Sequence, residues 1–226
     1  MDKFNIAIDG PAGAGKSTIA RLVANTLGFV YVDTGAMYRA VTWNVLRLGL
    51  SPDHTAEVIA ATERMEIRLA PGENGQQVFV NGQDVTLDIR SAEVTNNVSQ
   101  IAAIAEVRRN LTVKQKQLAA NKGVVMDGRD IGSHVLPNAE LKVFLTASVR
   151  VRAERRYKEI QDDRTDVTLE QLEAEIAARD RMDESRETAP LVQAPDAVLL
   201  DTTSMPIPQV VERILELCRT EVGGGK

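Results

Sequence analysis

Eight residues near the start of the chain have the types and spacing of a phosphate-binding loop. Gly10 is followed at fixed intervals by Gly15, Lys16 and Ser17, which completes the pattern G-x-x-x-x-G-K-[ST]. Glycine suits such a loop because the backbone must adopt positive φ angles and aim successive N–H groups at phosphate. The lysine then reaches the β- and γ-phosphates, and the hydroxyl ligates Mg²⁺. The motif predicts a nucleoside triphosphate site formed by Gly10, Pro11, Ala12, Gly13, Ala14, Gly15, Lys16, Ser17 and Thr18.

The segments on either side of this loop have the patterns that the motif requires. Residues 4–9 are predicted to form an apolar strand, and residues 18–27 place Ile19, Leu22 and Val23 on one helical face. The first turn of a helix carries partial positive charge and free N–H groups, so it favours phosphate. The strand, loop and helix order therefore supports a nucleotide-binding site.

A second segment, residues 127–132, combines two carboxylates with an arginine. Asp127 ends an apolar strand pattern, and it resembles the acidic residue that supports Mg²⁺ in phosphate-loop enzymes. Arg129 and Asp130 follow at the same end of that strand. The spacing leaves open which aspartate faces a metal ion and which faces a substrate.

A third segment, residues 33–39, follows the second predicted strand. Thr34 is expected to cap a helix that begins near Ala36, and Arg39 lies one turn into that helix. In a doubly wound sheet, the loops at the carboxyl ends of adjacent strands converge on one crevice. We therefore expect this segment to face the phosphate loop, with Arg39 near the phosphate of an acceptor.

Arginines recur in three later segments, and their clustering is more informative than any one of them. Arg152 and Arg156 share a helical face, with Arg155 beside them. Because a moving phosphoryl group spreads charge over three oxygens, its transfer depends mostly on positioning and on cations. Arginine is always charged and binds oxyanions through two N–H groups. The other members are Arg108 and Arg109 in one segment, and Arg179, Arg181 and Arg186 in another.

Five short apolar segments are separated by helical patterns, which is typical of a parallel sheet covered by helices on both faces. The predicted strands span residues 4–9, 29–32, 123–126, 141–145 and 197–200. After the first helix, helices are predicted over residues 36–48, 56–62, 91–120, 149–163, 168–184 and 207–220. The sequence therefore predicts an α/β fold around the phosphate loop.

One region breaks this alternation. Period-two patterns and an Asn81-Gly82 turn signal predict consecutive hairpins, so we expect a small antiparallel insert over residues 63–95. Two charged helices flank the polar segment 161–166, where a mobile helical lid is expected within residues 151–186. The core is then divided among residues 1–62, 96–150 and 187–222, with a disordered tail at 223–226.

Composition limits the partners of the chain. With 226 residues and a formal net charge of −5, it has no overall attraction to nucleic acid or to an anionic membrane. Its one cysteine, Cys218, lies among apolar residues at helical spacing and is interpreted as a small hydrophobic side chain. No apolar run approaches the ~20 residues of a membrane span. We therefore expect a cytoplasmic monomer that binds small molecules rather than a nucleic-acid polymer or a membrane.

These motifs, in this order, resemble the bacterial cytidylate kinases over nearly the whole chain. The segments that carry the resemblance are residues 8–17, 33–39, 127–132 and 179–191. The resemblance implies a kinase of pyrimidine metabolism that uses ATP and Mg²⁺ to phosphorylate CMP and dCMP. It also implies a mobile lid and a monophosphate-binding region enlarged by the antiparallel insert.

The resemblance also implies roles for single residues. Lys16 and three lid arginines, Arg152, Arg155 and Arg156, would act on ATP and on the transferred phosphoryl group. Ser17 would ligate Mg²⁺, with Asp127 in support. Thr34, Ser99, Arg108, Asp130 and Arg186 would surround the cytosine and its phosphate. Arg39 and Arg129 would bind the phosphate, and Arg179 with Asp183 would contact the ribose.

The implied role of Asp130 agrees with the chemistry of the base. Cytosine presents an amino donor at N4, from which a carboxylate can accept a hydrogen bond. Uracil presents O4 there, so the carboxylate would lose its hydrogen bond and meet a lone pair. We therefore expect UMP to be a poorer acceptor than CMP. The acceptor phosphate is already ionised, so no general base is required.

Two other functions fit the phosphate loop considered alone. A kinase acting on a sugar or a shikimate-like acid would use Asp127 or Asp130 as a general base toward a hydroxyl. A nucleotide-dependent switch is disfavoured because the sequence has no Asn-Lys-x-Asp segment of the GTPase type. Turnover of a non-nucleotide hydroxyl would support the first, and slow hydrolysis without transfer the second.

Overall fold

The computed structural model describes residues 3–72, 75–160 and 167–222, with side chains as far as residue 220. The helices in these ranges are α1 (Lys16–Leu27), α2 (Thr34–Arg47), α3 (Thr55–Glu63), α4 (Ala92–Ala103), α5 (Ala105–Leu118), α6 (Val149–Ile160), α7 (Leu169–Glu184) and α8 (Ile207–Leu217). The strands are β1 (Asn5–Asp9), β2 (Val30–Asp33), β3 (Ile67–Gly72), β4 (Gly75–Val80), β5 (Gln83–Asp84), β6 (Val124–Gly128), β7 (Leu141–Thr146) and β8 (Val198–Asp201). A 3₁₀ turn (Asp88–Arg90) and π-helical turns (Ile131–Val135, Cys218–Val222) complete the elements.

Five strands form a sheet in the order β2-β6-β1-β7-β8. β1 pairs in parallel with β6 and β7, and β7 pairs in parallel with β8. Every residue of β1 and β6 is buried, as expected for strands at the centre of a covered parallel sheet. The predicted α/β sheet is confirmed. At the edge strand β8, burial alternates along the strand and Leu199 is exposed. One face of the sheet is therefore left uncovered at this edge.

The chain divides into two compact units. The first unit comprises Met1–Val30 and Gly123–Lys226, and the second comprises Tyr31–Lys122. The first unit contains α1, α6, α7, α8 and most of the parallel sheet. The second contains α2 to α5 and a three-stranded sheet in the order β3-β4-β5.

The small sheet of the second unit is antiparallel, as the hairpin signals predicted. Ile67 lies opposite Val80 in the β3–β4 pair, and Val80 lies opposite Gln83 in the β4–β5 pair. Asn81 and Gly82 have φ angles of 48° and 82°, the two successive positive values that a tight hairpin turn needs. The predicted turn chemistry is therefore confirmed.

The single helix predicted over residues 91–120 is wrong, because α4 and α5 are separated at Ile104. Its backbone is extended, with φ −72° and ψ 117°. In one continuous helix, Ile101 and Val107 would point about 120° apart. The break lets both residues enter one core, where each is fully buried.

The two helices expected to flank a lid, α6 and α7, pack on each other. Ala153 and Ile160 of α6 and Leu172 and Ile176 of α7 are buried in one cluster. A capping box at Thr168 starts α7. The polar segment 161–166 and the tail 223–226 lie outside the described residues, and the expected mobility of the lid stays a prediction.

The cysteine prediction is confirmed at the end of α8. Cys218 is 1% exposed, and burial raises the pKa of its thiol to about 11. Such a group behaves as an apolar side chain rather than as a nucleophile. Separately, none of the helices within the described ranges is long and apolar enough to cross a membrane.

Candidate active site

The phosphate-loop sequence forms a tight connection between β1 and α1 in the first unit. Gly10 has a φ of 148°, and a Cβ at this position would lie 2.0 Å from the carbonyl oxygen of Leu145. Gly13 has a φ of 74°, and a Cβ there would lie 3.2 Å from the Cβ of Arg152. α1 begins at Lys16, directly after the loop. The loop is therefore shaped by close backbone packing that only glycine permits.

Lys16 is a buried cation in this loop. It is 6% exposed, and its Nζ donates to the carbonyl oxygen of Pro11 at 2.8 Å. Burial lowers the pKa of Lys16 to about 7, and the nearby charges of Arg129 and Arg179 act in the same direction. Asp127 and Asp9 oppose this shift. An anion bound beside Lys16 would favour its charged form.

Ser17 and Asp127 lie within hydrogen-bond distance of each other. The Ser17 Oγ donates to Oδ2 of Asp127 at 3.0 Å, and Asp127 is buried at the end of β6. A hydroxyl beside a carboxylate supplies the hard oxygen ligands that Mg²⁺ prefers, so the residues fit this ion. Within the described ranges, no group of three or more His, Cys, Asp or Glu side chains forms a metal cluster.

Asp9, which sequence reasoning did not select, connects the phosphate loop to the segment after β6. Its Oδ1 and Oδ2 accept from the backbone N–H groups of Ile131 and Gly132, each at 2.7 Å. Asp9 is 5% exposed, and this burial raises the pKa of its carboxyl to about 6 despite the two hydrogen bonds. The nearby Asp130 also raises this pKa, and Lys16 lowers it.

Asp183 on α7 gathers several of the predicted acceptor residues. The Nε of Arg129 donates to its Oδ2 at 2.8 Å, and Nη2 of Arg186 lies 3.3 Å from its Oδ1. Burial opposes ionisation of Asp183, but the charges of Arg129, Arg186 and Arg179 hold its pKa below the usual value. The structure thus brings Arg129, Arg179, Asp183 and Arg186 together in the first unit.

Arg179 carries a buried donor nitrogen within this group. Its Nε is shielded from solvent and has no hydrogen-bond partner in the described part of the chain. Burial, together with the charges of Arg129 and Arg156, lowers the pKa of Arg179 to about 10, while Asp183 and Asp180 oppose the shift. A buried donor without a partner would gain free energy by binding an oxygen ligand.

Asp130 is fixed by the π-helical turn that follows it. It is 4% exposed, and its carbonyl oxygen accepts from the backbone N–H groups of His134 and Val135 at 2.9 and 3.1 Å. Asp130 also lies close enough to Asp9 to raise the pKa of that carboxyl. The structure therefore places Asp130 in the first unit, near the phosphate loop.

The three arginines of α6 occupy different environments. Arg152 is buried, and its Nη1 donates to the carbonyl oxygen of Ala12 at 3.0 Å. Arg155 donates to the carbonyl oxygens of Ala14 and Thr202 at 3.4 and 2.7 Å. Arg156 is partly exposed and pairs with Glu159 on its own helix at 3.2 Å. Two of the three therefore touch the phosphate loop, and the third pairs within α6.

In the second unit, Asp33 rather than Thr34 caps α2. The Oδ1 of Asp33 accepts from the N–H of Ala36 at 2.8 Å, and α2 begins at Thr34. The expectation that Thr34 is the cap is wrong. Asp33, one residue earlier, has the extended backbone that a cap requires, and its carboxylate accepts the hydrogen bond. Asp33 also accepts from Nη2 of Arg90 at 2.9 Å. Thr34 is buried at the start of the helix.

The other predicted acceptor residues of the second unit lie on α2, α4 and α5. Arg39 donates to the carbonyl oxygen of Ile89 at 3.1 Å and to Oγ1 of Thr95 at 2.8 Å. Arg108 is 3% exposed, donates to the carbonyl oxygen of Ala102 at 3.1 Å, and lies 5.2 Å from the centre of the Tyr38 ring. Ser99 is half-buried on α4.

These features define a class of protein. A buried strand, a glycine loop with a cationic lysine, and a helix at the end of a parallel sheet make up the phosphate-loop nucleotide-binding fold. The cytidylate kinase family model matches residues 6–220, and the chain belongs to that family.

Curated relatives agree with this assignment over nearly their full lengths. Proteins named cytidylate kinase from Exiguobacterium sibiricum, Lysinibacillus sphaericus and Geobacillus kaustophilus are 54%, 52% and 51% identical to this chain. These matches cover 96%, 97% and 98% of this chain and 97%, 98% and 99% of the relatives. The predicted family is therefore confirmed.

More distant solved structures share the fold alone. A shikimate kinase from Acinetobacter baumannii in complex with shikimate is 18% identical, with a TM-score of 0.50 over 96% of this chain and 94% of its own. An uncharacterized protein from Eubacterium ventriosum is 9% identical, with a TM-score of 0.52 over 95% of this chain and 97% of its own.

Proposed function

We propose that this protein transfers the γ-phosphoryl group of ATP to CMP or dCMP, giving CDP or dCDP and ADP in pyrimidine nucleotide metabolism. Membership of the cytidylate kinase family over residues 6–220 carries this proposal. The buried Lys16 in its glycine loop supports it independently, because a desolvated cation there suits a polyphosphate. We place the activity in the cytoplasm, since ATP and CMP are small soluble substrates, and we propose that the protein acts as a monomer.

On the donor side, residues 10–18 would hold ATP. The loop would present its backbone N–H groups to phosphate, and α1 would add the partial positive charge of its first turn. Lys16 would stabilise the charge that develops during transfer. Ser17, oriented by its 3.0 Å hydrogen bond to Asp127, would hold Mg²⁺, which would neutralise charge on the phosphates.

On the acceptor side, nine residues are assigned to CMP. Thr34, Arg39, Ser99 and Arg108 of the second unit are assigned to the base and phosphate. Arg129, Asp130, Arg179, Asp183 and Arg186 of the first unit are assigned to the phosphate, base and ribose. The solvent-shielded Nε of Arg179 supports this assignment, because a buried donor without a hydrogen-bond partner among the described residues would be stabilised by an oxygen acceptor of the substrate.

The transfer itself would need little proton chemistry. The attacking oxygen of CMP belongs to a phosphate that is already ionised at neutral pH. Catalysis would therefore consist of placing the two phosphates in line and stabilising the charge between them. Lys16 and the arginines near Asp183 supply the cations for this task, and the buried surroundings strengthen their interaction with the substrate.

A coupled assay that follows ADP release from ATP tests the proposal. CMP, dCMP, UMP, AMP, GMP and shikimate would be compared as acceptors, with and without Mg²⁺. We expect Mg²⁺-dependent turnover that is fastest with CMP, substantial with dCMP and slower with UMP. Faster turnover of AMP, GMP or shikimate than of CMP would overturn the proposed substrate.

A further inference from the structure

The guanidinium of Arg152, predicted to act on the transferred phosphoryl group, is held inside the first unit. Its Nε donates to the carbonyl oxygen of Ala147 at 2.9 Å, and its Nη1 donates to that of Ala12 at 3.0 Å. Its Nη2 donates to Oδ2 of Asp180 at 2.6 Å. The residue is 4% exposed, and each of its three guanidinium nitrogens donates to an acceptor within the protein.

Asp180 on α7 depends on this arginine. It is 9% exposed, and its other oxygen, Oδ1, has no hydrogen-bond partner among the described residues. Arg152 therefore supplies a charge-assisted hydrogen bond to a carboxylate that is shielded from solvent. If Arg152 moved toward a phosphoryl group, Asp180 would be left as a buried charge without its partner.

The pair also joins two parts of the first unit that the proposed function assigns to different substrates. Ala12 belongs to the phosphate loop, and Gly13 beside it packs against the backbone and Cβ of Arg152. Asp180 lies between Arg179 and Asp183 on α7, which are assigned to the acceptor. Arg152 thus fixes the donor loop against the helix that carries acceptor residues.

We propose that Arg152 and Asp180 act as a positioning pair that holds the phosphate loop against α7, and that Arg152 does not contact the transferred phosphoryl group. This inference rests on the proposed function for its kinetic consequences. The pair acts through the placement of Ala12 and of the residues on either side of Asp180. A lysine cannot replace Arg152 here, because one ammonium group does not span three acceptors in a plane.

A double-mutant cycle with Arg152→Ala, Asp180→Ala and the combined variant tests the pair. We expect each single variant to raise the KM for ATP about tenfold or more, and the combined variant to be no worse than the poorer single one. Arg152→Lys should be as impaired as Arg152→Ala. Asp180→Asn should recover part of the loss, because its amide oxygen can still accept from Nη2.

A direct contact between Arg152 and the phosphoryl group gives a different result. In that case Arg152→Ala would lower kcat by on the order of 10³, Asp180→Ala would leave kcat near that of the wild type, and Arg152→Lys would recover activity through its charge. This pattern, or additive losses in the combined variant, would overturn the proposal.

Arg150 and Glu173 provide a matched control on the same two helices. They form a partly exposed pair between α6 and α7 with an Nη1 to Oε1 distance of 3.3 Å. An equivalent cycle of Arg150→Ala and Glu173→Ala should leave the KM for ATP unchanged, because exposed pairs contribute little. Thermal unfolding of every variant would separate loss of positioning from loss of folded protein.

The binding of a non-hydrolysable ATP analogue separates this inference from the proposed acceptor. Isothermal titration calorimetry with the full chain requires no turnover, so it applies even if CMP is not the substrate. Equal weakening by Arg152→Ala and Asp180→Ala supports the positioning pair. Unchanged affinity in both variants overturns it.

Discussion

Two arginines of each unit illustrate two kinds of contact that hold a cationic side chain. In the first unit, Arg152 and Arg129 are paired with the carboxylates of Asp180 and Asp183. In the second unit, Arg39 and Arg108 donate to carbonyl oxygens, and Arg108 also lies over the ring of Tyr38. Carboxylates allow cations to pack closely because they offset the repulsion between the cations. They also weaken the attraction of those cations for a bound anion.

The difference suggests a division of work. Carbonyl oxygens and an aromatic ring fix the geometry of an arginine without cancelling its full positive charge. A carboxylate fixes the arginine more firmly, but its negative charge weakens the attraction of the arginine for an anionic substrate. We therefore expect Lys16, whose Nζ donates to a carbonyl oxygen, to contribute more to phosphoryl transfer than the carboxylate-paired Arg152 and Arg129.

Lys16 gives the strongest test of this comparison, since its Nζ donates to the carbonyl oxygen of Pro11 in the first unit. Lys16→Ala should lower kcat by on the order of 10²–10³ while the protein stays folded, because it removes an interaction that strengthens during transfer. Steady-state kinetics with ATP and CMP would measure this. Lys116→Ala, an exposed lysine on α5, is the control. An unchanged kcat would assign the loop a purely structural role.

Arg108→Lys tests the second unit. A lysine keeps the charge but cannot both donate to Ala102 and present a planar group over Tyr38, so we expect the KM for CMP to rise about tenfold. The KM for ATP should stay constant. Arg109→Lys next to it, at an exposed residue paired with Glu106, should change neither value. Equal effects at both positions would break the proposed distinction.

Asp130→Asn tests the contribution of a carboxylate to base selectivity. An amide can turn its NH₂ toward uracil O4 and loses charge-assisted acceptance from cytosine N4. The kcat/KM for CMP should fall, and the ratio of CMP to UMP activity should shrink several-fold. A uniform loss for both substrates would indicate a role in positioning Mg²⁺ or phosphate, and Asp127→Asn measured in parallel would show which aspartate has that role.

Asp9 gives the smallest effect, seen in stability rather than in rate. Its pKa in the folded protein is about 6, above its usual value of 3.8, so its contribution is fully present below pH 3.8 and is lost as pH rises through 6. Relative to Asp9→Asn, the wild type should lose on the order of 2 kcal/mol of unfolding free energy between pH 4 and 7. Urea unfolding at both pH values measures this, and a difference that does not change with pH would contradict it.

Much of the fold follows from local patterns. The central strands are continuous apolar segments, and Asn81-Gly82 has the conformational freedom that a tight hairpin needs, so both were predictable. The break at Ile104 was not, because apolar spacing continues through it and only the shared core of α4 and α5 explains it. The cap of α2 was assigned one residue late, since Asp33 and Thr34 are both good capping residues.

In the candidate site too, residues in contiguous motifs could be predicted and residues with distant partners could not. The phosphate loop is a contiguous motif, so Lys16 and Ser17 could be selected from sequence together with the roles proposed for them. Asp9 and Asp180 could not, because their partners are Ile131, Gly132 and Arg152, which lie far away in the chain. An aspartate directly before the first glycine of the loop was the one available signal for Asp9.

The burial of Cys218 has a practical consequence for spectroscopy. With a thiol pKa of about 11, only ~10⁻⁴ of it is thiolate at neutral pH, and at 1% exposure it is shielded from reagents. The native chain is therefore a nearly silent background for thiol-directed dyes. A single dye at Glu63→Cys on α3 or at Gln209→Cys on α8 would therefore report on its own helix as each nucleotide is added.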